Sequence, residues 1–276
     1  RMQARSSDGV QISFDTSGSG DVAVIFIHGW CCERGHWHAQ MEHFAQSYVT
    51  VAVDLAGHGA SGQDRPDWTM QAFGEDIACV LDEIGINSAV LVGHSMGGPV
   101  AVEAALLRPG CVAGIVGADS LFDFYADPFD AAGFTSDFEA TMERVVEGMF
   151  DVESHPAQRR FATSMRSSPM DVAVGARSAI SAWGAGCFRQ SMQNLTVPVR
   201  AIQQQRDEDG LSRLRAYAPG LPSFDVMEMA DVGHFVMLDD PATFNQLLTE
   251  CLVEILGAGP KASHNTSRNP ATDKGE

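Results

Sequence analysis

Residues 89–99, Ala-Val-Leu-Val-Gly-His-Ser-Met-Gly-Gly-Pro, constrain this chain more than any other stretch. The run 89–93 has the length and apolar character of a buried strand. It leads into Gly93-His94-Ser95-Met96-Gly97, a G-x-S-x-G pattern, and 99–108 then reads as a helix. A strand, a tight turn and a helix in that order are what a nucleophile elbow requires. Gly93 and Gly97 leave room for a sharp reversal, with Ser95 held in a strained conformation at its tip. A competing reading makes Ser95 a plain helix N-cap, but the strand before it and the helix after it favour the elbow.

The rest of the chain supplies enough material to build a fold around that turn. Its 276 residues are 45% hydrophobic, which implies one large domain or a core carrying an insertion. No apolar run approaches the roughly 18 residues that cross a membrane, and no secretory leader is visible, so no membrane partner is expected. A formal charge of −18 disfavours nucleic acid and anionic lipid as partners. Both lysines, Lys261 and Lys274, fall in the tail, leaving arginine as the permanent cation of the body. The six cysteines (31, 32, 79, 111, 187 and 251) have no zinc-like spacing, so no metal is expected, and reduced thiols in the cytoplasm are the default reading. Cys31 and Cys32, next to the site proposed below, read either as packing or as an oxidisable pair.

Along the chain, 10–16 alternates like an early strand, 22–27 is a strand covered on both faces, 35–47 looks helical and 48–54 is the next strand. A glycine-rich loop follows at 55–62, without the pattern or the lysine of a phosphate-binding loop. Residues 69–84 show helical spacing of apolar residues, 112–118 is a strand ending at Asp119, and 121–192 carries no strand signal and reads as several short helices. Strands return at 197–202 and 224–229, and 240–256 is an amphipathic helix. From 257 to 276 the composition is that of a disordered tail. Alternating strands and helices predict an α/β fold, a mostly parallel, doubly wound sheet. The expected organisation is a core of 1–120 and 193–256, a helical insertion at 121–192 and a tail at 257–276.

Four motifs then carry a resemblance. His28-Gly29-Trp30 follows the third strand, Asp54-Leu55-Ala56-Gly57-His58-Gly59-Ala60-Ser61 the fourth, and Gly93-His94-Ser95-Met96-Gly97-Gly98 forms the elbow. Gly233-His234-Phe235-Val236-Met237-Leu238-Asp239-Asp240-Pro241 lies near the C-terminus. In this order they resemble the α/β-hydrolase fold family, within it the carboxylesterase and haloperoxidase-like branch, with a helical cap formed by the insertion.

The resemblance implies roles. Ser95 would be the nucleophile, because a serine hydroxyl needs a neighbouring base to act; an aspartate there would point to a dehalogenase or epoxide hydrolase instead. His234 would be that base, while His28 and His58 shape loops and His94 points inward. Backbone N–H groups of Trp30 and Met96 would form the oxyanion hole. An acid must accept the other ring N–H of His234, and two strand ends offer one. Asp119 ends the strand before the insertion and is favoured. Asp207, after the strand that follows the insertion, is the alternative, although Gln204 replaces the customary glycine of its turn. Each also has a bland reading, Asp119 as a helix cap and Asp207 as part of a solvated acidic loop.

The implied reaction is ester hydrolysis through an acyl-enzyme on small to medium hydrophobic acyl esters, with no cofactor. Trp30, Phe122, Phe124, Met142, Trp183 and Phe235 are the expected pocket residues. Other chemistry on the same groups remains open at this point: thioester or lactone hydrolysis, carbon–carbon bond cleavage, or perhydrolysis. So does a receptor that binds a ligand and retains the same residues. Oligomeric state leaves no trace in the sequence.

Overall fold

The apolar runs become strands because their residues are buried on both sides. In the computed structural model, which describes residues 2–120, 128–216 and 218–257, β3 (Ala23–Ile27) and β5 (Ala89–His94) are buried along their whole length. They are neighbours in an eight-stranded sheet of order β1-β2-β4-β3-β5-β6-β7-β8. The other strands are β1 (Met2–Arg5), β2 (Gln11–Ser17), β4 (Val49–Val53), β6 (Val112–Ala118), β7 (Val199–Gln204) and β8 (Phe224–Met229). From β4 through β8 every pairing is parallel, and β1 and β2 add antiparallel at one edge.

Helices connect the parallel strands. After β3 come a 3-10 turn at Arg34–Trp37 and α1 (His38–Phe44). After β4 comes α2 (Met70–Ile84), begun by Thr69, whose hydroxyl accepts the Ala72 amide at 3.0 Å, and ended by Gly85 at φ 65°. α3 (Gly97–Leu107) links β5 to β6. The chain returns from β8 through α10 (Val236–Asp239) and α11 (Pro241–Leu256). α2 packs on α3, whereas α1 packs on α11, so the sheet has helices on both faces. This is the doubly wound, mostly parallel α/β sheet expected from the sequence.

Between β6 and β7 lie α4 (Ala131–Ser136), α5 (Phe138–Glu147), α6 (Arg159–Arg166), α7 (Met170–Gly186) and α8 (Phe188–Asn194). One of them, α7, is 17 residues long and not short. α8 rests on α3, and the buried Glu103 of α3 accepts hydrogen bonds from Trp183 Nε1 at 2.6 Å and Ser191 Oγ at 2.7 Å. Beyond β7, α9 (Glu208–Arg215) precedes β8. Among the described residues no helix is long and apolar enough to cross a membrane. Residues 258–276, most of the proposed tail, fall outside the described residues, as do Phe122 and Phe124.

Two expectations need adjusting. β1 had no sequence signal, because only Ala4 of its four residues is buried and an edge strand needs no alternating pattern. The helix after the elbow starts at Gly97, two residues earlier than its apolar pattern suggested, because the turn itself is its first residue.

Candidate active site

β5 ends at His94, and the next residue, Ser95, has φ 50°. The left-handed backbone is unusual for a non-glycine residue and is held from several sides. The Ser95 amide donates to Ala118 O at 3.2 Å, its carbonyl accepts from Ser120 Oγ at 2.5 Å and from the Gly98 amide at 3.0 Å. Gly97 is required here, since a Cβ at that position would collide with the Ile27 carbonyl and come within 2.9 Å of His28 O. Ser95 thus stands at the tip of the turn with α3 beginning directly after it.

Asp119 follows β6 and also has a positive φ, 42°. Its amide donates to Ile202 O of β7 at 2.8 Å, and its carboxylate is buried. Three side chains meet that carboxylate: His234 Nδ1 at 2.7 Å and Gln204 Nε2 at 2.9 Å on Oδ2, and Arg206 Nη2 at 3.3 Å on Oδ1. Asp207 is elsewhere. It is exposed, and its Oδ1 accepts the Gly210 amide at 2.8 Å in the first turn of α9. The structure therefore brings Asp119 to His234 and leaves Asp207 as a helix-start residue.

His234 sits on the loop between β8 and α10, and the loop is pinned. Its carbonyl accepts from His94 Nε2 at 2.9 Å, and the Gly233 amide donates to Asp239 Oδ2 at 2.7 Å. Asp239 in turn takes Gln158 Nε2 of the inserted segment at 2.7 Å. His94 is buried, which holds its imidazole well below the usual range and keeps it neutral as the donor to His234.

The loop after β3 is shaped by two more neutral histidines. His28 Nδ1 donates to Gly29 O at 2.8 Å while its Nε2 accepts the Leu55 amide at 3.0 Å. His58 Nδ1 donates to Ala56 O at 2.9 Å and its Nε2 accepts the Cys31 amide at 3.3 Å. A ring nitrogen that accepts must be unprotonated, and burial lowers both imidazoles to about 3. Among the described residues no hydrogen bond from the Trp30 or the Met96 amide to another protein group is seen. Cys31 and Cys32 are buried beside Trp30 as free thiols. Burial pushes Cys31 up to about 12 and Cys32 well above its usual value, so both behave as small hydrophobes.

Ser95 and His234 open into one cavity of about 600 Å³. Trp30 lines it. Met142, Trp183 and Phe235 do not, and each has a reason. Met142 is buried on α5, Trp183 is committed to Glu103 on α3, and Phe235 stacks behind Phe150 at 4.3 Å between ring centres. The wall comes instead from Met149, Phe150, Asp151, Arg177, Ile180 and Gln204. Gln204 was visible as a departure from the glycine customary at its turn, but nothing in the sequence marked Arg177 or Asp151. A larger concavity of about 960 Å³, lined by Asp54, His58 and Cys31 among others, contains neither Ser95 nor His234.

Comparisons with known proteins place the chain in a family. Residues 24–247 match the family model described as "Alpha/beta hydrolase family". The chain is 29% identical over 259 residues to the dihydrolipoyllysine-residue acetyltransferase component of the acetoin cleaving system of Cupriavidus necator, covering 89% of this chain and 67% of that one. It is 41% identical over 93 residues to a bifunctional esterase/perhydrolase of Acinetobacter calcoaceticus, covering 33% and 34% of the two chains. The matched stretch thus spans about two thirds of the first relative and a third of the second. Among solved structures, Est816, described as an N-acyl homoserine lactone degrading enzyme, superposes with a TM-score of 0.76 at 25% identity over 90% of this chain and 99% of that one.

Proposed function

Because the chain belongs to the alpha/beta hydrolase family, we propose that it is a serine carboxylic-ester hydrolase working through an acyl-enzyme. The observation that carries this reading is the 2.7 Å contact of His234 Nδ1 with the buried Asp119 carboxylate, in a molecule where His234 and the strained Ser95 share one cavity. The similarity to the bifunctional esterase/perhydrolase of Acinetobacter calcoaceticus supports the same reaction class.

In this reading His234 takes the Ser95 proton through Nε2 as the oxygen attacks an ester carbonyl. Asp119 fixes the tautomer by accepting from Nδ1 and stabilises the imidazolium. The Trp30 and Met96 amides receive the negative charge on the former carbonyl oxygen, one such donor typically being worth about 3 kcal/mol of barrier. His234 then returns the proton to the departing alcohol, and water releases the acid by the same route. Helices α4–α8 act as the cap, and the apolar wall of Trp30, Met149, Phe150 and Ile180 favours small to medium acyl groups.

The test is a nitrophenyl ester series of increasing acyl length, with an aliphatic lactone included. Wild type should turn over the shorter esters, and Ser95→Ala should lower kcat by about 10⁴-fold or more while its circular dichroism is unchanged. Full turnover by Ser95→Ala would remove Ser95 from the reaction. An inert wild type would leave a ligand receptor as the reading.

A further inference from the structure

We propose that Gln158 is a positioning residue for the hydrolysis: through Asp239 it holds the imidazole of His234, so that the cap takes part in activating Ser95. The inference rests on the hydrolase reading above and deepens it. Unlike Ser95 and Asp119, His234 follows an edge strand, β8, and its loop needs supports from outside the sheet.

Those supports grip both neighbours of His234. On one side the Gly233 amide donates to Asp239 Oδ2 at 2.7 Å, which closes residues 233–239 into a ring. Gln158 Nε2 donates to the other oxygen of the same carboxylate, also at 2.7 Å. Gln158 ends the 3-10 turn Pro156–Gln158 and is 4% exposed, so losing that acceptor would leave a buried donor unpaired. On the other side the Phe235 ring stacks on Phe150, with 4.3 Å between ring centres and 15° between planes. Both outer partners, Gln158 and Phe150, belong to the inserted segment, and both inner ones to the loop.

Catalysis is sensitive to this hold. His234 Nε2 must meet the Ser95 hydroxyl while Nδ1 stays on Asp119 at 2.7 Å. A misplacement of about 1 Å in such an arrangement can cost about 100-fold in rate. Neither Gln158 nor Asp239 is among the described residues that line the cavity shared by Ser95 and His234. Loosening them therefore slows the chemical steps without weakening the grip on the ester. Phe150 does line the cavity, so its truncation would mix binding with positioning, and Gln158 is the cleaner probe.

Kinetics on a short nitrophenyl ester test the proposal. Gln158→Glu sets a second carboxylate against Asp239 and should lower kcat by about tenfold or more, with KM within about twofold and circular dichroism unchanged. Asp239→Asn alone should cost less, because it keeps an oxygen for the Gly233 amide. Combined with Gln158→Glu it restores a donor opposite an acceptor, and kcat should return to within about threefold of wild type. Deuterium exchange of the Gly233 amide, followed by NMR, should quicken about tenfold in Gln158→Glu and slow again in the double variant. Should Gln158→Glu not fold, Gln158→Met, of similar size and without a donor, should lower kcat by about threefold or more with KM held. Wild-type kcat in the Gln158 variants, a loss carried by KM, unchanged exchange at Gly233, or a double variant no better than Gln158→Glu would each overturn the proposal. If wild type cleaves the ester in a Ser95-dependent way and Gln158→Glu matches it, only this inference falls. If wild type cleaves none, the hydrolase reading falls with it.

Discussion

Ser95 and Asp119 share an unusual backbone: neither is glycine, yet φ is 50° at one and 42° at the other. Such conformations cost about 1–3 kcal/mol each and persist only where the surroundings enforce them. Here the enforcement is mutual, because Ser120, next to Asp119, hydrogen-bonds the Ser95 carbonyl. The sequence pointed to Ser95 and His234 through short motifs. It left two acids open, because each follows a strand of the same sheet and only the tertiary arrangement decides which one reaches His234. Asp119→Asn keeps the shape but offers an NH₂ to the wrong side of the ring, so it should lower kcat by about 10⁴-fold. Asp207→Asn, at an exposed helix start, should change kcat by no more than about twofold. Steady-state kinetics on one nitrophenyl ester compares them, and equal losses would contradict the geometry.

At the scale of elements, apolar patterning identified nearly every strand, and β6 and β8 begin and end where their apolar residues do. It could not say what α4–α8 cover. Periodicity marks the buried face of a helix, and for Met142 and Trp183 that face meets other helices and not the cavity. The packing of α3 on β3 gives a second prediction. Glycine to alanine in a helix ordinarily stabilises by about 1 kcal/mol, and Gly186→Ala, with open space around the new methyl, should be neutral or slightly stabilising. Gly97→Ala must instead push α3 off the Ile27 carbonyl and should cost about 1–3 kcal/mol. Urea unfolding of the two variants measures the contrast, and a stabilised Gly97→Ala would refute the close packing.

Across the whole molecule, buried neutral histidines tie stability to pH. Burial lowers His28 and His58 to about 3 and His36 to about 4, and His94 lies well below the ordinary value of 6.5. The unfolded chain takes up these protons below pH 6.5 and the native one does not. Stability is therefore full above 6.5 and falls as the pH drops toward 4, by up to about 1.4 kcal/mol per pH unit for each histidine. Asp82 and Asp240, held below their usual range by Arg108 and Thr243, act with the same sign only further down, near pH 4. Urea midpoints between pH 6.5 and 4.5 should fall steeply, and a flat profile there would mean the rings are charged in the native state.

The supports of the three site groups differ in kind. Ser95 and Asp119 hang from β5 and β6, which have a hydrogen-bonded neighbour on either side, whereas His234 follows β8, an edge strand. Fraying begins at margins. Were that margin to open first on warming, the imidazole would part from the serine and the carboxylate while the rest of the sheet held. Heat would thus silence this molecule reversibly before it melts it.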